Sequence, residues 1–436
     1  MTYRVHPPFC VPLGHLRGDR SPAIRVHTAY ARIVWRASAG PAGRLRLAGK
    51  MLRWIVDAVV VTGVMTVRYG FLIRRRTGKG VARQALDQLR LAFTLGVPPR
   101  TYYLLRLHDD ANLKNAHQYL FRYETKPHGI YWWLRRPGPH DSELLADKEK
   151  FRKRCLEQDL PTVALVMQLF RGEVEECGEG FDGTSLPRRD LFVKPTRGKG
   201  GAGAARWNWV GDDRYQEPGG APLSEAELLE HLKALSRKES ILVQDCLENH
   251  PEIIDLSTGA LTTARILTCQ NERGEPEPVA AVFRMAVREH QVVDNIHAGG
   301  IACGVDLGTG KLGRATALSP SSDWVDVHPT TGAAIAGRTL PHWNEALHLA
   351  CTAHRQFDAM VVVGWDVAIT ESGPVLVEGN GSPCVNLIQR PHDAPLGQSR
   401  MGELLAHHLE KLEVEPELYR EGRLREKRLR RGRLAL

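Results

Sequence analysis

The sequence has no closely spaced cysteine pair. Its eight cysteines, Cys10, Cys155, Cys177, Cys246, Cys269, Cys303, Cys351 and Cys384, are scattered, with no C-x-x-C among them. That spacing excludes a zinc ribbon or a disulfide-stapled small domain and suits reduced thiols. A long charge-free apolar run is also missing. The most apolar stretch, Met51 to Ile73, carries Arg53, Asp57 and Arg68, and only ten residues separate the last two. A spanning helix needs ~20. No repeat of fixed period is present, which argues against a solenoid or propeller. No cationic start leads into a clean apolar run, so no secretory signal is expected, and the expected location is cytoplasmic, at most peripheral to the inner face of a membrane. Acidic residues are the minority, 50 against 59 Lys and Arg, for a formal charge of +9. Phosphates, nucleotides and anionic lipid are natural partners for such a chain. Its basic residues are not interleaved with aromatics, so no specific nucleic-acid partner is expected.

What is present can bury a large core: 436 residues, 42% of them hydrophobic, suggest two or three domains. Residues 1–100 read as an N-terminal extension, basic and helical, with poor order expected over the Arg-, Pro- and Gly-rich first fifty. Within it Met51–Ile73 reads as a buried helix or strand. The alternatives are a helix lying on a membrane surface, with Arg74, Arg75 and Arg76 at its edge, and a spanning helix. Residues 101–245 and 246–410 read as two lobes. Residues 411–436 form a tail whose run Arg420 to Arg433 reads as a solvated basic helix, with anionic membrane or nucleic acid as second reading.

Past residue 100 the pattern is globular. Asp141-Ser142 can cap a helix running to about Gln158, and Ser224-x-x-Glu227 is a capping box. Leu191–Pro195, Ile241–Asp245, Thr262–Gln270, Pro278–Val287, Ile301–Leu307, Leu312–Ala317, Val361–Thr370 and Pro374–Gly379 read as strands, and His342–Asp358 as a helix. Strands in blocks with few helices between them indicate α+β architecture with antiparallel sheets.

Two stretches carry chemistry. The first is LFVKPTRGKGGAGAARWNWVG, Leu191 to Gly211, which spells G-x-G-x-x-G at Gly198, Gly200 and Gly203. A dinucleotide fingerprint needs a helix after the glycines, and a P-loop needs Ser or Thr after its lysine. Here a strand-like run follows, and Lys199 precedes Gly200. What remains is a glycine-rich hairpin with Lys194, Arg197 and Lys199, able to fold over a triphosphate through backbone N–H groups at Gly200 and Gly201. A plain solvated loop is the alternative. The second is VVVGWDVAITESGPVLVEGNGSPCVN. A three-residue turn at Glu371–Gly373 would set Asp366 opposite Glu378, with Asn380 two residues along the same face and Trp365, Val367, Ile369, Val375 and Val377 on the other. Like charges directly opposite repel. Two carboxylates and an amide oxygen suit a hard cation such as Mg²⁺; the bland alternative is a wet hairpin face.

In this order the two stretches resemble the ATP-grasp superfamily, and most of all its sugar-transfer-associated branch, over roughly Tyr102 to Pro391. Further matching motifs are Asp147-Lys148, ILVQDCLENHPEI, TTARILT, FRM and VDNIHAGGI. The resemblance implies an ATP-grasp fold, two α+β subdomains clamping ATP between antiparallel sheets. It implies that Lys148 and Lys194 reach the phosphates and that Gln244 and Asp245 line the adenine edge through their backbone. Glu252 would accept the ribose hydroxyls, with Glu248 as competitor and a helix-start role as alternative. Arg265 and Arg284 would stabilise the transferring phosphoryl group, unless they form a structural salt bridge, and Lys148 has a plain solvated alternative. Asp366, Glu378 and Asn380 would hold Mg²⁺, two ions being expected. Asp294, Asn295, Gly299 and Gly300 would face the acceptor.

The implied activity is an ATP-dependent carboxylate–amine ligase acting through an acyl phosphate, in cell-envelope polysaccharide or sugar-linked biosynthesis. Its partners would be small or sugar-linked carboxylates and amines, with peripheral membrane contact through 51–76 or the tail. Alternatives are an ATP-dependent phosphotransferase on a sugar hydroxyl and a nucleotide-binding partner of a glycosyltransferase complex.

Overall fold

Alternating apolar residues in the C-terminal half build an antiparallel sheet whose two faces have different fates. Its strands are β8 (Thr263–Gln270), β9 (Pro276–Met285), β10 (Ile301–Val305), β11 (Leu312–Thr316), β12 (Val362–Thr370) and β13 (Gly373–Asn380), ordered β11-β10-β9-β8-β12-β13. On one face Ala264, Ile266, Phe283, Val363, Trp365, Val367 and Ile369 share a core with the helix Trp343–Arg355. Period-two geometry puts the alternate residues Leu267, Cys269, Val282, Ala302 and Val362 on the opposite face. The computed structural model from which this is read describes residues 7–11, 18–126, 129–137, 141–198, 200–296 and 299–419.

A second antiparallel sheet forms the other lobe. Its strands are β1 (Leu165–Phe170), β2 (Glu173–Cys177), β3 (Leu191–Pro195), β4 (Ala205–Gly211), β5 (Arg214–Gln216), β6 (Pro222–Ser224) and β7 (Ile241–Asp245), ordered β2-β1-β7-β3-β4-β5-β6. One face packs Leu191, Val193, Ile241 and Val243 against the helix Glu225–Ser236. The expected capping box starts that helix: Glu227 N donates to Ser224 Oγ and Ser224 N to Glu227 Oε2, at 3.3 and 2.8 Å. The expected α+β architecture with antiparallel sheets is therefore what forms. The single helix expected from Asp141 to Gln158 is instead two, Asp141–Leu144 and Lys148–Leu156, because Asp147 caps the second one.

The N-terminal region departs from expectation. Poor order was expected over the first fifty residues, yet the described residues there include α1 (Pro22–Ala37) and the start of α2 (Pro41–Thr77). Each begins at a proline, whose fixed φ suits the first turn, and no proline follows within α2. Helix α3 (Val81–Leu95) runs back along α2 after the left-handed Gly78. Trp54 and Ala58 of α2 pack on Ala92 of α3, and Gln88 Nε2 donates to Thr66 Oγ1 at 2.9 Å. Val26, Ile33, Val61, Met65 and Ile73 of these helices join Leu267, Cys269 and Val282 in one core. The extension thus joins the core on the second face of the six-stranded sheet, where the helices Val385–His392 and Arg400–Val414 pack directly on the strands and Pro22–Ala37 packs on Arg400–Val414, instead of trailing from it. The basic run Arg420 to Arg433 lies outside the described residues.

Candidate active site

The acidic pair forms, by a route the sequence reading did not anticipate. The turn between β12 and β13 holds two residues, Glu371 and Ser372, so Thr370 pairs with Gly373 and Val367 with Leu376. Carried on unbroken, that register would set Asp366 opposite Val377. A bulge between Asp366 and Val367 inserts Val377 and restores Asp366 opposite Glu378 and Gly364 opposite Asn380. The apolar face of β13 is corrected accordingly: Leu376, not Val375 or Val377, enters the core beside Trp365.

Four strands contribute to the cluster around this pair. Asp366 is opposite Arg265 of β8, and Thr263 of β8 is opposite Arg284 of β9. The guanidinium of Arg265 embraces Asp366, Nη2 donating to Oδ2 at 2.7 Å and Nε to Oδ1. Arg284 Nη2 lies 3.0 Å from Asp366 Oδ2 and 3.2 Å from Asp294 Oδ1. Thr263 Oγ1 donates to Asp294 Oδ2 at 2.6 Å and accepts from Arg284 Nε at 3.1 Å. Gly364 leaves room for this: a Cβ there would come within 3.1 Å of Arg265 Cδ. Both arginines are thus ion-paired with acids of the cluster, Arg265 with Asp366 and Arg284 with Asp366 and Asp294. Thr263 and the pairing of Asp294 with Arg284 were missed; Thr263 stands two residues before Arg265, on the same strand face.

Burial alone would raise the Asp366 carboxyl, but Arg265 and Arg284 hold it well below the usual carboxylate range. Glu378 moves upward, first through burial and then through the charge of Asp366. Its side chain is nonetheless 38% exposed, so its carboxylate opens on the cleft. Asn380 is half-buried, and its Oδ1 accepts from Ser382 N at 3.0 Å.

The other sheet meets this cluster through Lys194. Burial pushes its ammonium down to about 8, Glu378 and Asp366 pulling it up and Lys148 adding to the depression. One lysine of β3 therefore feels both the acids of β12–β13 and the second lysine. Lys148 opens its helix behind the Asp147 cap, and its N–H donates to Thr196 O at 2.9 Å, two residues beyond Lys194. Asp147 also accepts from Arg197 Nε at 3.0 Å.

The glycine hairpin closes on the loop before β10. Gly200 and Gly201 both have positive φ, and a Cβ at Gly201 would meet Val293 at 2.8 Å, one at Gly200 the Asn295 amide at the same distance. Lys199 lies outside the described residues. Gly299 takes a φ of +100°, and a Cβ on Gly300 would strike Asp294 O.

Gln244 shares the cleft side of its sheet with Lys194, since the partners Phe192–Gln244 and Lys194–Leu242 stand opposite the lobe core. It is buried, and its Oε1 has no hydrogen-bond partner. The Asp245 side chain lies on the other face, in an ion pair with Arg189 at 2.8 and 3.0 Å. Glu252 occupies an exposed turn, its N–H donating to His250 Nδ1 and its carbonyl accepting from Arg338. Glu248 is also exposed.

Two other places compete on chemistry and fail. Cys10, His27 and Glu124 lie close enough to share a metal ion, but both His27 ring nitrogens already face oxygens, Glu124 Oε1 at 2.7 Å and His117 O at 3.2 Å. A cavity of about 1290 Å³ contains Arg76, Arg106 and Arg390, and each already has partners. Arg106 pairs with Asp393, Arg76 with Asp323, and Arg390 with the Leu104 and Ser322 carbonyls.

Two antiparallel sheets, a glycine hairpin over their cleft and lysines facing a carboxylate pair define a protein of the ATP-grasp class. Residues 138–401 match the family described as sugar-transfer associated ATP-grasp, and the chain belongs to that family. Among solved structures it is similar to an L-amino acid ligase from Bacillus licheniformis, at 12% identity and a TM-score of 0.35, over 63% of this chain and 50% of that one. D-alanine–D-alanine ligases are similar too. The Coxiella burnetii structure gives 11% identity and a TM-score of 0.34 over 63% and 61% of the two chains. The Bacillus anthracis structure gives 12% and 0.35 over 65% and 71%. The match thus spans about half the length of the Bacillus licheniformis enzyme. No curated protein matches the chain.

Proposed function

We propose that the chain is an ATP-dependent carboxylate–amine ligase. The observation that carries this reading is the burial of Lys194 beside Asp366 and Glu378, which joins a phosphate-binding hairpin and a carboxylate pair in one cleft. Lys194, Lys148 and the N–H groups around Gly200 and Gly201 hold the triphosphate. Gln244 Oε1, buried without a donor, suits an exocyclic amine of the base. Arg265 and Arg284 face the γ-phosphoryl group.

Attack on a free carboxylate is slow because oxide leaves poorly. A carboxylate oxygen instead takes the γ-phosphoryl group of ATP, the bond to the β-phosphate oxygen breaks, and ADP leaves. The amine nitrogen then attacks the acyl carbon, loses its proton, and expels phosphate. The chain's part is to position the reactants and offset charge. Two Mg²⁺ ions are proposed with Asp366, Glu378 and Asn380 as ligands: Glu378, open on the cleft, can take one as it stands, while the oxygens of Asp366 and Asn380 accept from Arg265, Arg284 and Ser382 N and would exchange those partners for the ion. The raised, cleft-facing Glu378 carboxyl beside a second acid is a site that gains from a cation. When bound, Mg²⁺ supplies charge neutralisation on the phosphate oxygens.

The family description, sugar-transfer associated, supports a sugar-linked substrate, and we extend the proposal to polysaccharide biosynthesis on the cytoplasmic side. The test is a screen for ADP release over pairs of carboxylates and amines, with Asp366→Asn and Glu378→Gln as controls. Release that needs both substrates and disappears in both variants supports the ligase. A phosphorylated hydroxyl with no free phosphate would replace it by a phosphotransferase.

A further inference from the structure

Helix α2 has two apolar faces, and the protein covers one of them. Trp54, Ala58, Val61, Met65 and Ile73 face the core. On the opposite side Val56, Val59, Val60, Val64, Val67 and Phe71 stand in solvent, Val67 78% and Val56 63% exposed. With Gly63 they recur every three or four residues, so they form one stripe. No charged side chain breaks that stripe from Val56 to Phe71, a length of ~22 Å at the helical rise. Leu86 and Phe93, one heptad apart on α3, are exposed as well.

Charge names the occupant. Residues 41–96 contain eleven Lys and Arg against two acids, Asp57 and Asp87, a surplus of nine. The whole chain carries +9, so the remaining residues balance, 48 basic against 48 acidic. Both acids are already held: Arg53 lies 3.6 Å from Asp57, and Lys79 lies 2.8 Å from Asp87. Arg44, Arg46, Lys50 and Arg53 flank one end of the stripe, and Arg74, Arg75 and Arg76 the other. An apolar stripe between basic ends fits a bilayer surface rich in anionic headgroups.

We propose that α2 docks the protein on an anionic membrane, lying in the plane of the headgroups. The helix is long and apolar enough to cross a membrane, but its inner face forbids it. Gln84 donates to Gly70 O at 3.1 Å and Gln88 to Thr66 Oγ1, so a crossing α2 would either break these bonds or drag Gln84, Asp87 and Gln88 of α3 into hydrocarbon.

The test is sedimentation of the full-length chain with vesicles of phosphatidylcholine containing about one-third phosphatidylglycerol, the anionic component of the headgroup attraction. Binding is expected, weakening in high salt and at least about tenfold weaker on pure phosphatidylcholine, the order of one lost kcal/mol or more. The double variant Val56→Asp/Val67→Asp should abolish binding while melting temperature stays unchanged, since both side chains are exposed. Equal binding to neutral vesicles, no binding to either, or release by detergent alone would overturn the proposal. So would a lipid-free dimer that the double variant dissociates, because a second copy would then be the occupant.

Discussion

Asp366 and Glu378 face each other because one residue, Val377, is extra on its strand. Without that bulge the carboxylates would lie on opposite faces of the sheet, since a one-residue slip inverts every side chain beyond it. Deleting Val377 should therefore abolish ADP formation although no site residue is touched. Circular dichroism on the deletion variant, compared with its turnover, separates this from unfolding.

The two acids should respond differently to neutralisation. Asp366→Asn leaves Arg265 and Arg284 buried without their carboxylate, a loss on the order of 3–5 kcal/mol for a broken buried pair. Glu378→Gln removes a like charge beside Asp366 and should hold or raise the melting temperature. Both should lose turnover. Calorimetry beside an ADP assay checks the contrast; equal destabilisation by both would contradict the electrostatics.

Lys194 should set an alkaline limit on nucleotide binding if it holds the triphosphate as proposed. Its folded value of about 8 lies below the unfolded 10.5, so the charged form is disfavoured in the fold. Below pH 8 both states are protonated and the destabilisation is fully present. As pH rises from about 8 toward 10.5, the folded state loses its proton first and stability climbs, while ATP loses a cation. ATP affinity should fall through pH 8, and Lys194→Arg, charged throughout, should flatten the profile. Calorimetric titration across that range measures it.

His27 gives the opposite sign. Burial opposes its charge, but Glu124 outweighs burial and raises it above the usual imidazole value. Its stabilising contribution is complete below about 6.5, the unfolded value, and is lost as pH rises through the folded value. His27→Gln should lower the melting temperature more at pH 6 than at pH 9, conditions on either side of the ordinary imidazole titration.

Gly201 should act on substrate handling. With φ at +76° and Val293 against it, Gly201→Val meets both a left-handed penalty of ~1–2 kcal/mol and a clash. The hairpin then cannot seat, so KM for ATP should rise more than the melting temperature falls.

The chemistry-bearing strands were legible because Val, Ile and Trp alternate along them with few polar breaks, as in Val362–Thr370. Strands β1, β2, β5 and β6 were not, since the near-continuous apolar run LVMQLF has no alternation to separate strand from buried helix, EVEEC is mostly polar and the last two are three residues long. Their pairing comes from neighbours, not from pattern. The acidic pair was legible for the wrong register, an assumed three-residue turn standing in for a two-residue turn plus a bulge. The arginine, glycine and proline content of residues 1–50 masked α1, whose buried Ala23, Val26, Tyr30 and Ile33 do follow helical spacing. Asp245 and Glu252 show what motif order leaves open. The side-chain direction of the first depends on strand parity, and the second sits on a turn held by Arg338, 86 residues away.

The shared core beneath the six-stranded sheet has a practical consequence for anyone trimming this protein. Cutting to residues 138–401 removes Val26, Ile33, Val61, Met65 and Tyr102 from that core, and with them nearly all of the helix Arg400–Val414, which packs on the very strands that carry Arg265 and Arg284. The helices on both sides of the matched segment are floorboards under the reaction chamber, and an excised fragment should precipitate before it can be assayed.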